Sequence, residues 1–429
     1  MKRFSGRFAV RRLIALAGAG VLLSAGLGAA AASAADRSSD ASGGTRATSV
    51  PMLPCGLKYV SGSLYVGAGD AVYKVSQQTD DATSIAPGSV GGACGVAVDG
   101  AGNLLAADGQ EVIVVAAKTG TFYGQKMVKG RAYAIVNGPF DSLSAEDVQL
   151  DPSGNVVFDV GGALASTTNA EYDSQVFVLA QHTGTFYGKK MVKGKLYVIA
   201  GVLNGQSIGE PCGQTEDPAA HAAVAAAAQP AAAAKAAQAN LGYMIGTLRF
   251  DAAGNIMLAD SGGYGGSPCG APAYSVHPQV AVIPARTGTY YGQKMTVGDI
   301  YPIAGLGKRT ANGVPAVDSD LSDVAAVALD HSGNILVATS GNLGVGPVRV
   351  IADRSGTFYG QRMVKGDIYT LPGLTDAVAV AVDNAGNVLY GDDYHFLVRM
   401  LDVKPGTYYE VKARAGHVYT IAGNGKEPV

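Results

Sequence analysis

The chain has 429 residues, of which 48% are hydrophobic and 15% charged, with a formal net charge of −2. Its 60 glycines are about twice ordinary usage and follow no collagen period, which indicates many tight turns and therefore many short strands. The low charged fraction argues against a disordered protein, and the density of turn residues excludes long helical bundles and coiled coils.

Residues 1–34 are predicted to be a signal peptide. Five basic residues precede an apolar run from Leu13 to Ala32, which ends in the small-residue cleavage pattern Ala32-Ser33-Ala34. Cleavage leaves 27 basic and 34 acidic residues, a net charge of −7, which disfavours a nucleic-acid partner. We therefore expect a secreted, extracellular protein with no membrane span after cleavage. The pair Arg11-Arg12 leaves open whether export is Sec-dependent or twin-arginine-dependent.

Residues 35–54 are predicted to be a flexible linker, and residues 55–425 a single domain built from one repeated unit. The first half of the unit is an apolar strand, the turn Asp-x-x-Gly-Asn and a second apolar strand. Five copies begin at Gly95, Val148, Leu248, Val327 and Val380.

The second half of each unit is a Val/Ile-rich strand, a hairpin related to Thr-Gly-Thr-Phe-Tyr-Gly-Gln-Lys-Met, and a last strand with a tyrosine. The aromatic pairs of the hairpins are Phe122-Tyr123, Phe186-Tyr187, Tyr290-Tyr291, Phe358-Tyr359 and Tyr408-Tyr409. Each unit thus predicts four short strands. A degenerate copy from Leu57 brings the estimate to six units, with five or seven as alternatives.

These strands are apolar on both sides, so each small sheet must be covered by a neighbour on both faces. A closed ring of such sheets buries every inner surface and leaves only short outer edges. The sequence therefore predicts an all-β protein, a six-bladed β-propeller with four-stranded antiparallel blades.

The phrases GVAVDGAGNLLAAD from Gly95 and GHVYTIAGNG from Gly416 resemble NHL repeats, and the long hairpin is similar to a form of the repeat in secreted actinobacterial proteins. The resemblance implies a six-bladed propeller that serves as a binding platform, or more rarely as an enzyme.

The connections between strands alternate sides, so the repeat defines two faces. The constant face carries the connections between strands 1 and 2 and between strands 3 and 4 (the 1–2 and 3–4 connections), which are nearly identical from blade to blade. The variable face carries the connections between strands 2 and 3 (the 2–3 connections) and those that join one blade to the next. The insertions of the variable face are Gly161 to Ser174, Ser261 to Gln279, Ser340 to Pro347, Asp392 to His395, Val202 to Ile245 and Leu306 to Asp323. Because binding residues concentrate on variable loops above a regular scaffold, we expect the ligand there.

The insertion at residues 202–245 is rich in alanine and interrupted by Pro230. Two short helices and a flexible linker are both consistent with this composition. In either form we expect it to lie over the variable face as a partial lid.

Aspartates at the end of the second strand are the candidate metal ligands: Asp108, Asp159, Asp260 and Asp392. A ring of carboxylates near the axis suits Ca²⁺, which takes six to eight oxygen ligands. The alternative is that each carboxylate accepts hydrogen bonds from backbone N–H groups. No cofactor is expected, with calcium or another divalent cation at the axis as the alternative.

Aromatic and polar residues of the variable loops are the candidate ligand-binding residues, since such side chains suit peptides and sugars. They are Tyr172, Tyr264, Tyr274, His277, Asp393, Tyr394 and His395.

The four cysteines predict two disulfides, because an exported chain folds in an oxidising compartment. Cys55 and Cys94 precede the first strands of consecutive blades and are expected to pair, which leaves Cys212 with Cys269.

Two functions remain open from the sequence. The first is a secreted, non-catalytic scaffold, expected to be a monomer, that binds an extracellular protein, a peptide or a cell-envelope glycan through the variable face. The second is a lyase or lactone hydrolase with a divalent metal at the central axis. No nucleophile or metal-binding motif favours the second.

Overall fold

The computed structural model describes residues 45–428 apart from 70, 87, 91, 110, 138–143, 162, 165–170, 173, 202–233, 240, 243–244, 266–273 and 340–345. These residues form six antiparallel sheets of four or five strands, accompanied by short two-stranded hairpins. The predicted all-β propeller of six four-stranded blades is confirmed. The described residues include no helix long and apolar enough to cross a membrane.

Each blade takes its four strands from one continuous stretch of chain, in the order 1-2-3-4 from the axis outwards. Blades 1 to 3 consist of Gly56–Val60, Ser63–Gly67, Val72–Ser76, Asp81–Ile85; Val96–Val98, Leu104–Asp108, Glu111–Val115, Ala132–Asn137; and Ser144–Leu150, Val156–Gly161, Gln175–Leu179, Leu196–Ala200. Blades 4 to 6 consist of Ile245–Phe250, Ile256–Asp260, Gln279–Ile283, Asp299–Ala304; Val324–Leu329, Ile335–Thr339, Val348–Ile351, Asp367–Thr370; and Ala377–Val382, Val388–Asp392, Leu397–Leu401, Val418–Ala422.

The hydrophobic core is divided into six clusters, and each cluster fills the space between two neighbouring blades. Between blades 2 and 3, for example, Val114 and Phe158 are both fully buried. The cluster between blades 6 and 1 is of the same kind and includes Leu64 and Met400. The strands are therefore apolar on both sides because each sheet is covered twice.

The Asp-x-x-Gly-Asn turn builds the constant face from local bonds. In blade 2, Asp99 Oδ1 accepts the N–H groups of Ala101 and Asn103, each at 2.8 Å, and Asn103 donates its side-chain amide to Asp99 Oδ2. The Asn103 oxygen accepts the N–H of Ala117, which begins the 3–4 connection. A carboxylate that bonds N–H groups two residues on is an Asx turn, so this network forms wherever the motif occurs.

A hairpin closes over each of these turns in blades 2 to 6. The hairpins are Gly120–Phe122 with Gln125–Met127, Gly184–Phe186 with Lys189–Met191, Gly288–Tyr290 with Gln293–Met295, Gly356–Phe358 with Gln361–Met363, and Gly406–Tyr408 with Val411–Ala413. The tyrosine after the first strand has a positive φ in all five, between 50° and 52°. In blades 2 to 5 its hydroxyl donates to the turn aspartate, as Tyr359 does to Asp330 at 2.8 Å.

Blade 6 differs and provides a matched comparison for this bond. Gln77 of blade 1 donates to Asp383, and the buried hydroxyl of Tyr409 has no protein partner among the described residues. We expect Tyr359→Phe to lower the free energy of unfolding by about 2 kcal/mol, because it removes a bond to a carboxylate. Tyr409→Phe, at the same φ, is expected not to lower it, because it removes a buried hydroxyl that has no protein partner among the described residues. Equal losses in denaturant titrations of the two variants would show that the bond to Asp330 does not stabilise the hairpin.

The amino-terminal end of the described chain belongs to the propeller. Thr45–Arg46 pairs with Asp81–Ile85 as a fifth, outer strand of blade 1, and the 3₁₀ turn Ala47–Ser49 packs against blade 6. The predicted linker at residues 35–54 is thus corrected from Thr45 onwards. A strand adjoining this edge satisfies backbone groups that would otherwise be left open, which is why the segment is ordered.

The same arrangement recurs before blades 4 and 5. Ala234–Lys235 and Val314–Pro315 are outer strands, each followed by a 3₁₀ turn, Ala236–Gln238 and Ala316–Asp318. The first residue of each turn makes the same two backbone hydrogen bonds. Its N–H donates to a carbonyl of its own blade, and its carbonyl accepts the N–H of a glycine in the preceding blade; these residues are Ala47, Ala236 and Ala316. The amino-terminal segment therefore closes the ring as an ordinary inter-blade connection, without exchanging a strand. Most of the alanine-rich insertion, residues 202–233, lies outside the described residues.

One predicted disulfide is confirmed. Cys55 and Cys94 are bonded with their Cα atoms 5.0 Å apart, and they join the first strands of blades 1 and 2. Cys212 and Cys269 lie outside the described residues.

Candidate functional site

The central axis is filled by a polar network that the sequence analysis did not identify. Lys58 of blade 1 donates to Gln149 Oε1 of blade 3 at 2.7 Å, and Arg249 of blade 4 pairs with Asp147 of blade 3 at 2.8 Å. Arg249 also donates to the carbonyl of Leu57, on the opposite blade. These side chains span the ring from blade to blade and join three of its inner strands.

One sequence signal could have revealed this network. Gln149 and Arg249 stand two residues before the aspartate of their turns, where blades 2, 5 and 6 carry Ala97, Ala328 and Ala381. A long polar side chain at that position of an otherwise apolar inner strand has no room in a core between blades. It can only turn towards the axis, where the six blades meet.

Charge at the axis is unbalanced, with two cations and one carboxylate in direct contact. Burial, and secondarily the positive charge of Arg249, lowers the pKa of Lys58 to about 8, while Asp147 acts in the opposite direction. Both carboxylate oxygens of Asp147 already accept other hydrogen bonds, since besides Arg249 they accept the N–H of Leu248 at 2.8 Å and an amide hydrogen of Gln149. Among the described residues, the Lys58 ammonium therefore has no carboxylate of its own.

This imbalance predicts a pH dependence of stability. Because the pKa of Lys58 is lower in the folded than in the unfolded chain, the unfolded chain holds the extra proton between about pH 8 and 10.5. The free energy of unfolding is therefore expected to rise with pH from pH 7 to 9. Lys58→Met should remove the rise and stabilise the protein at pH 7 by about 1–3 kcal/mol. Denaturant titrations across this range test it, with the exposed Lys426→Met as control; an unchanged slope in Lys58→Met would contradict the assignment.

The second-strand aspartates lie at the variable face, where the carboxylates of Asp159 and Asp260 accept hydrogen bonds from nearby backbone N–H groups. Asp260 accepts the N–H groups of Gly242 and Gly262, each at 3.0 Å, and burial raises its pKa to about 6. Asp159 accepts the N–H of Asp147 at 2.8 Å, and burial raises its pKa well above the usual range, with a contribution from Asp147 itself. Asp108 ends the second strand of blade 2 and is partly buried.

Asp392 stands in a different environment, in a charged cluster on blade 6. His395 Nδ1 lies 2.8 Å from Asp392 Oδ1, and Arg399 Nε lies 2.9 Å from Oδ2. Asp376, which directly precedes the first strand, also lies close to Asp392. One ligand atom from each of Asp376, Asp392 and His395 lies within 4.8 Å of the others, the one such group among the described residues. Nothing in the sequence around Asp376 signalled its part in this cluster.

The loop that carries the cluster also presents an exposed aromatic residue. Tyr394 is 69% exposed, and its ring stands edge-on to that of His395 with the centroids 5.0 Å apart. Burial, and then the neighbouring charge of Asp392, raises the pKa of Asp393 to about 6. Three of the predicted ligand-binding residues, Asp393, Tyr394 and His395, thus lie together on blade 6.

The other predicted ligand-binding residues belong to blades 3 and 4. Glu171–Tyr172 pairs with Ala163–Leu164, and Gly263–Gly265 pairs with Tyr274–Val276, so Tyr172, Tyr264 and Tyr274 lie on two small hairpins of the variable face. The hairpins are neighbours. His277 follows the second and is exposed. The variable face therefore carries two groups of candidate residues, one on blades 3 and 4 and one on blade 6.

Comparison with known proteins gives similarity at the level of fold. No protein-family profile matches the chain, and no curated protein is significantly similar in sequence. Among solved structures, a luciferin-regenerating enzyme matches with a TM-score of 0.45 at 13% identity, over 86% of this chain and 91% of the other. Regucalcin from Agrobacterium tumefaciens, a calcium-binding protein, gives 0.44 at 12% identity, over 84% and 86%.

A third similar structure is virginiamycin B lyase from Staphylococcus aureus, with a TM-score of 0.42 at 8% identity, over 83% of this chain and 84% of the lyase. At these values the activities of the three proteins support no inference about this one.

Proposed function

We propose that the protein is an exported, non-catalytic propeller of the NHL type that binds a protein, a peptide or a cell-envelope glycan through its variable face. The observation that carries the proposal is the blade-6 loop, where Tyr394 projects 69% exposed beside His395 and the carboxylates of Asp392 and Asp393. An accessible aromatic ring next to hydrogen-bonding groups suits a sugar ring or a peptide side chain. The disulfide between Cys55 and Cys94 supports an oxidising, extracellular location.

An axial metal enzyme is the weaker alternative, because the residues at the axis do not fit a cation. Lys58 and Arg249 bring positive charge there, and the carboxylate of Asp147 is engaged by Arg249 and backbone. A further cation would meet two like charges in a poorly hydrated site.

A divalent cation fits better at the blade-6 cluster, where Asp376, Asp392 and His395 converge. It would have to displace the contact between His395 and Asp392 and compete with Arg399 for the same carboxylate. We therefore propose binding, rather than metal-dependent catalysis, as the function of this face.

The proposal is tested by screening the full chain on glycan and peptide arrays and measuring the affinity of each hit. We expect Tyr394→Ala to weaken binding about 30-fold, the scale of a central aromatic contact. The matched control is Val364→Ala, which removes an exposed apolar group, 52% exposed, on the constant face. A ligand that binds both variants with unchanged affinity would place the site elsewhere, and EDTA-sensitive turnover of an array hit would favour the enzyme.

A further inference from the structure

Positive charge is concentrated on the constant face. The five equivalent hairpin segments 118–131, 182–195, 286–299, 354–367 and 404–417 contain 16 of the chain's 32 Lys and Arg residues but only 3 of its 34 Asp and Glu residues. All sixteen basic residues are exposed. The chain is acidic overall only because its carboxylates lie elsewhere, so the constant face has the opposite sign to the whole molecule.

The concentration is greatest on two adjacent blades. The segments 118–131 and 182–195, here called the hairpin patch, belong to blades 2 and 3 and contain no acidic residue. Their basic residues are Lys118, Lys126, Lys129, Arg131, Lys189, Lys190, Lys193 and Lys195. Lys189 donates to a carbonyl of its own blade, so it is fixed against the rim. The patch therefore presents eight exposed cations and contains no carboxylate of its own.

The aspartates beneath the hairpins do not neutralise this array by direct pairing. In the two blades of the patch, Asp99 and Asp151 use both carboxylate oxygens within their turns, on backbone N–H groups and the side chains of Asn103 and Asn155. The hydroxyl of each hairpin tyrosine donates to them as well. Their negative charge is thus directed into the blade and not towards the solvent.

Exposed aliphatic side chains stand among the cations at a repeated position. Val128, Val192 and Val364 are 48%, 53% and 52% exposed, and each is followed by a lysine. Leu196, at the edge of the patch, is 41% exposed. Among the residues whose side-chain burial the structure describes, six large hydrophobic ones are exposed, and these four are among them. Their recurrence beside a lysine places apolar groups and positive charge on one face.

We propose that the constant face docks, through the hairpin patch, on the surface of a lipid bilayer that contains anionic phospholipids. Exposed lysines are attracted to such a surface, each contributing about a fivefold increase in partitioning, and neighbouring aliphatic groups enter the interface between headgroups and acyl chains. A soluble polyanion would use the lysines alone and gain nothing from the valines. The equivalent hairpins form a broad surface around one face of the propeller and not a narrow groove. A broad surface suits an extended, flat partner such as a bilayer.

This surface lies opposite the variable face, so docking leaves the proposed ligand-binding face turned away from the membrane. The two proposals are independent, because the docking experiment uses vesicles and no ligand of the variable face.

The test is sedimentation of the full chain with vesicles of phosphatidylglycerol and phosphatidylcholine, compared with vesicles of phosphatidylcholine alone. We expect binding to the anionic vesicles only, and weaker binding as salt is raised. The variant Lys126→Gln/Lys129→Gln/Lys190→Gln should lower the partition coefficient about 100-fold. The matched control, Lys308→Gln/Arg309→Gln/Lys426→Gln, removes three exposed cations from the variable face and should change it less than about threefold.

The valines separate a bilayer from a soluble polyanion. Val128→Ser/Val192→Ser should lower partitioning onto anionic vesicles about fivefold and leave binding to inorganic polyphosphate unchanged. Equal binding to neutral vesicles, an equal effect of the two charge variants, or vesicle binding that is indifferent to the valine changes would each overturn the proposal. The circular dichroism spectrum and thermal transition of every variant establish that it is folded.

Discussion

Gly246→Ala is expected to destabilise the propeller by about 3 kcal/mol or more, because it places a methyl group inside the backbone of the next blade. A Cβ atom at Gly246 would lie 1.9 Å from the carbonyl oxygen of Ala325 and 2.6 Å from its carbon. Both atoms belong to an inner strand, so neither can rotate away as a side chain does. Blades 4 and 5 would have to separate near the axis, where the ring is narrowest. The loss is measured as a shift in the denaturant midpoint.

The control for this substitution is Gly100→Ala. Gly100 lies in the 1–2 turn of blade 2, and a Cβ atom there would meet no atom within 4 Å. We expect its free energy of unfolding to change by about 0.5 kcal/mol or less. If both alanine variants unfolded at the wild-type midpoint, the close contact between the inner strands of blades 4 and 5 would not be what excludes a side chain at Gly246.

Asp147→Asn is expected to lower the free energy of unfolding by about 3–5 kcal/mol, the cost of leaving a buried cation without its partner. The side chains of Asp147 and Arg249 are only 3% and 11% exposed. The amide keeps the shape of the carboxylate, so the effect isolates charge from packing. With Asp147 neutral, Arg249 and Lys58 face each other across the axis, and no other carboxylate in the described part of the chain is seen to contact them. Chemical denaturation at pH 7 measures the loss.

An exposed ion pair provides the matched control. Asp318 and Arg309 lie 3.9 Å apart with side chains 54% and 63% exposed, and Asp318→Asn should cost less than about 0.5 kcal/mol. Adding Lys58→Met to Asp147→Asn should restore part of the stability, since it removes one of the two repelling cations. Because Lys58→Met alone is expected to stabilise the protein, its gain should be larger in the Asp147→Asn background than in the wild type. Equal gains in the two backgrounds would show that Lys58 does not sense the charge of Asp147.

The blade-6 cluster could be predicted from the sequence only in part. Asp392, Asp393, Tyr394 and His395 are consecutive, so their proximity follows from a short loop at the end of a strand. Asp376 lies sixteen positions earlier and joins them only because an antiparallel pair returns the second strand to the level where the first begins. Its neighbourhood in the chain contains nothing that distinguishes it from an ordinary loop aspartate.

The sequence by itself determined the repeat, the four strands of each blade, the two faces and the pairing of Cys55 with Cys94. These features depend on contacts within a unit or between consecutive units, such as the bonds from Asp99 to residues two and four positions on. Tertiary structure alone decided which side chains meet at the axis and how the two ends of the chain close the ring. Lys58 and Gln149 are 91 positions apart, and Asn424 meets Ser49 across 375. A ring brings one position from every blade to a common centre, and no local pattern records which side chains will meet there.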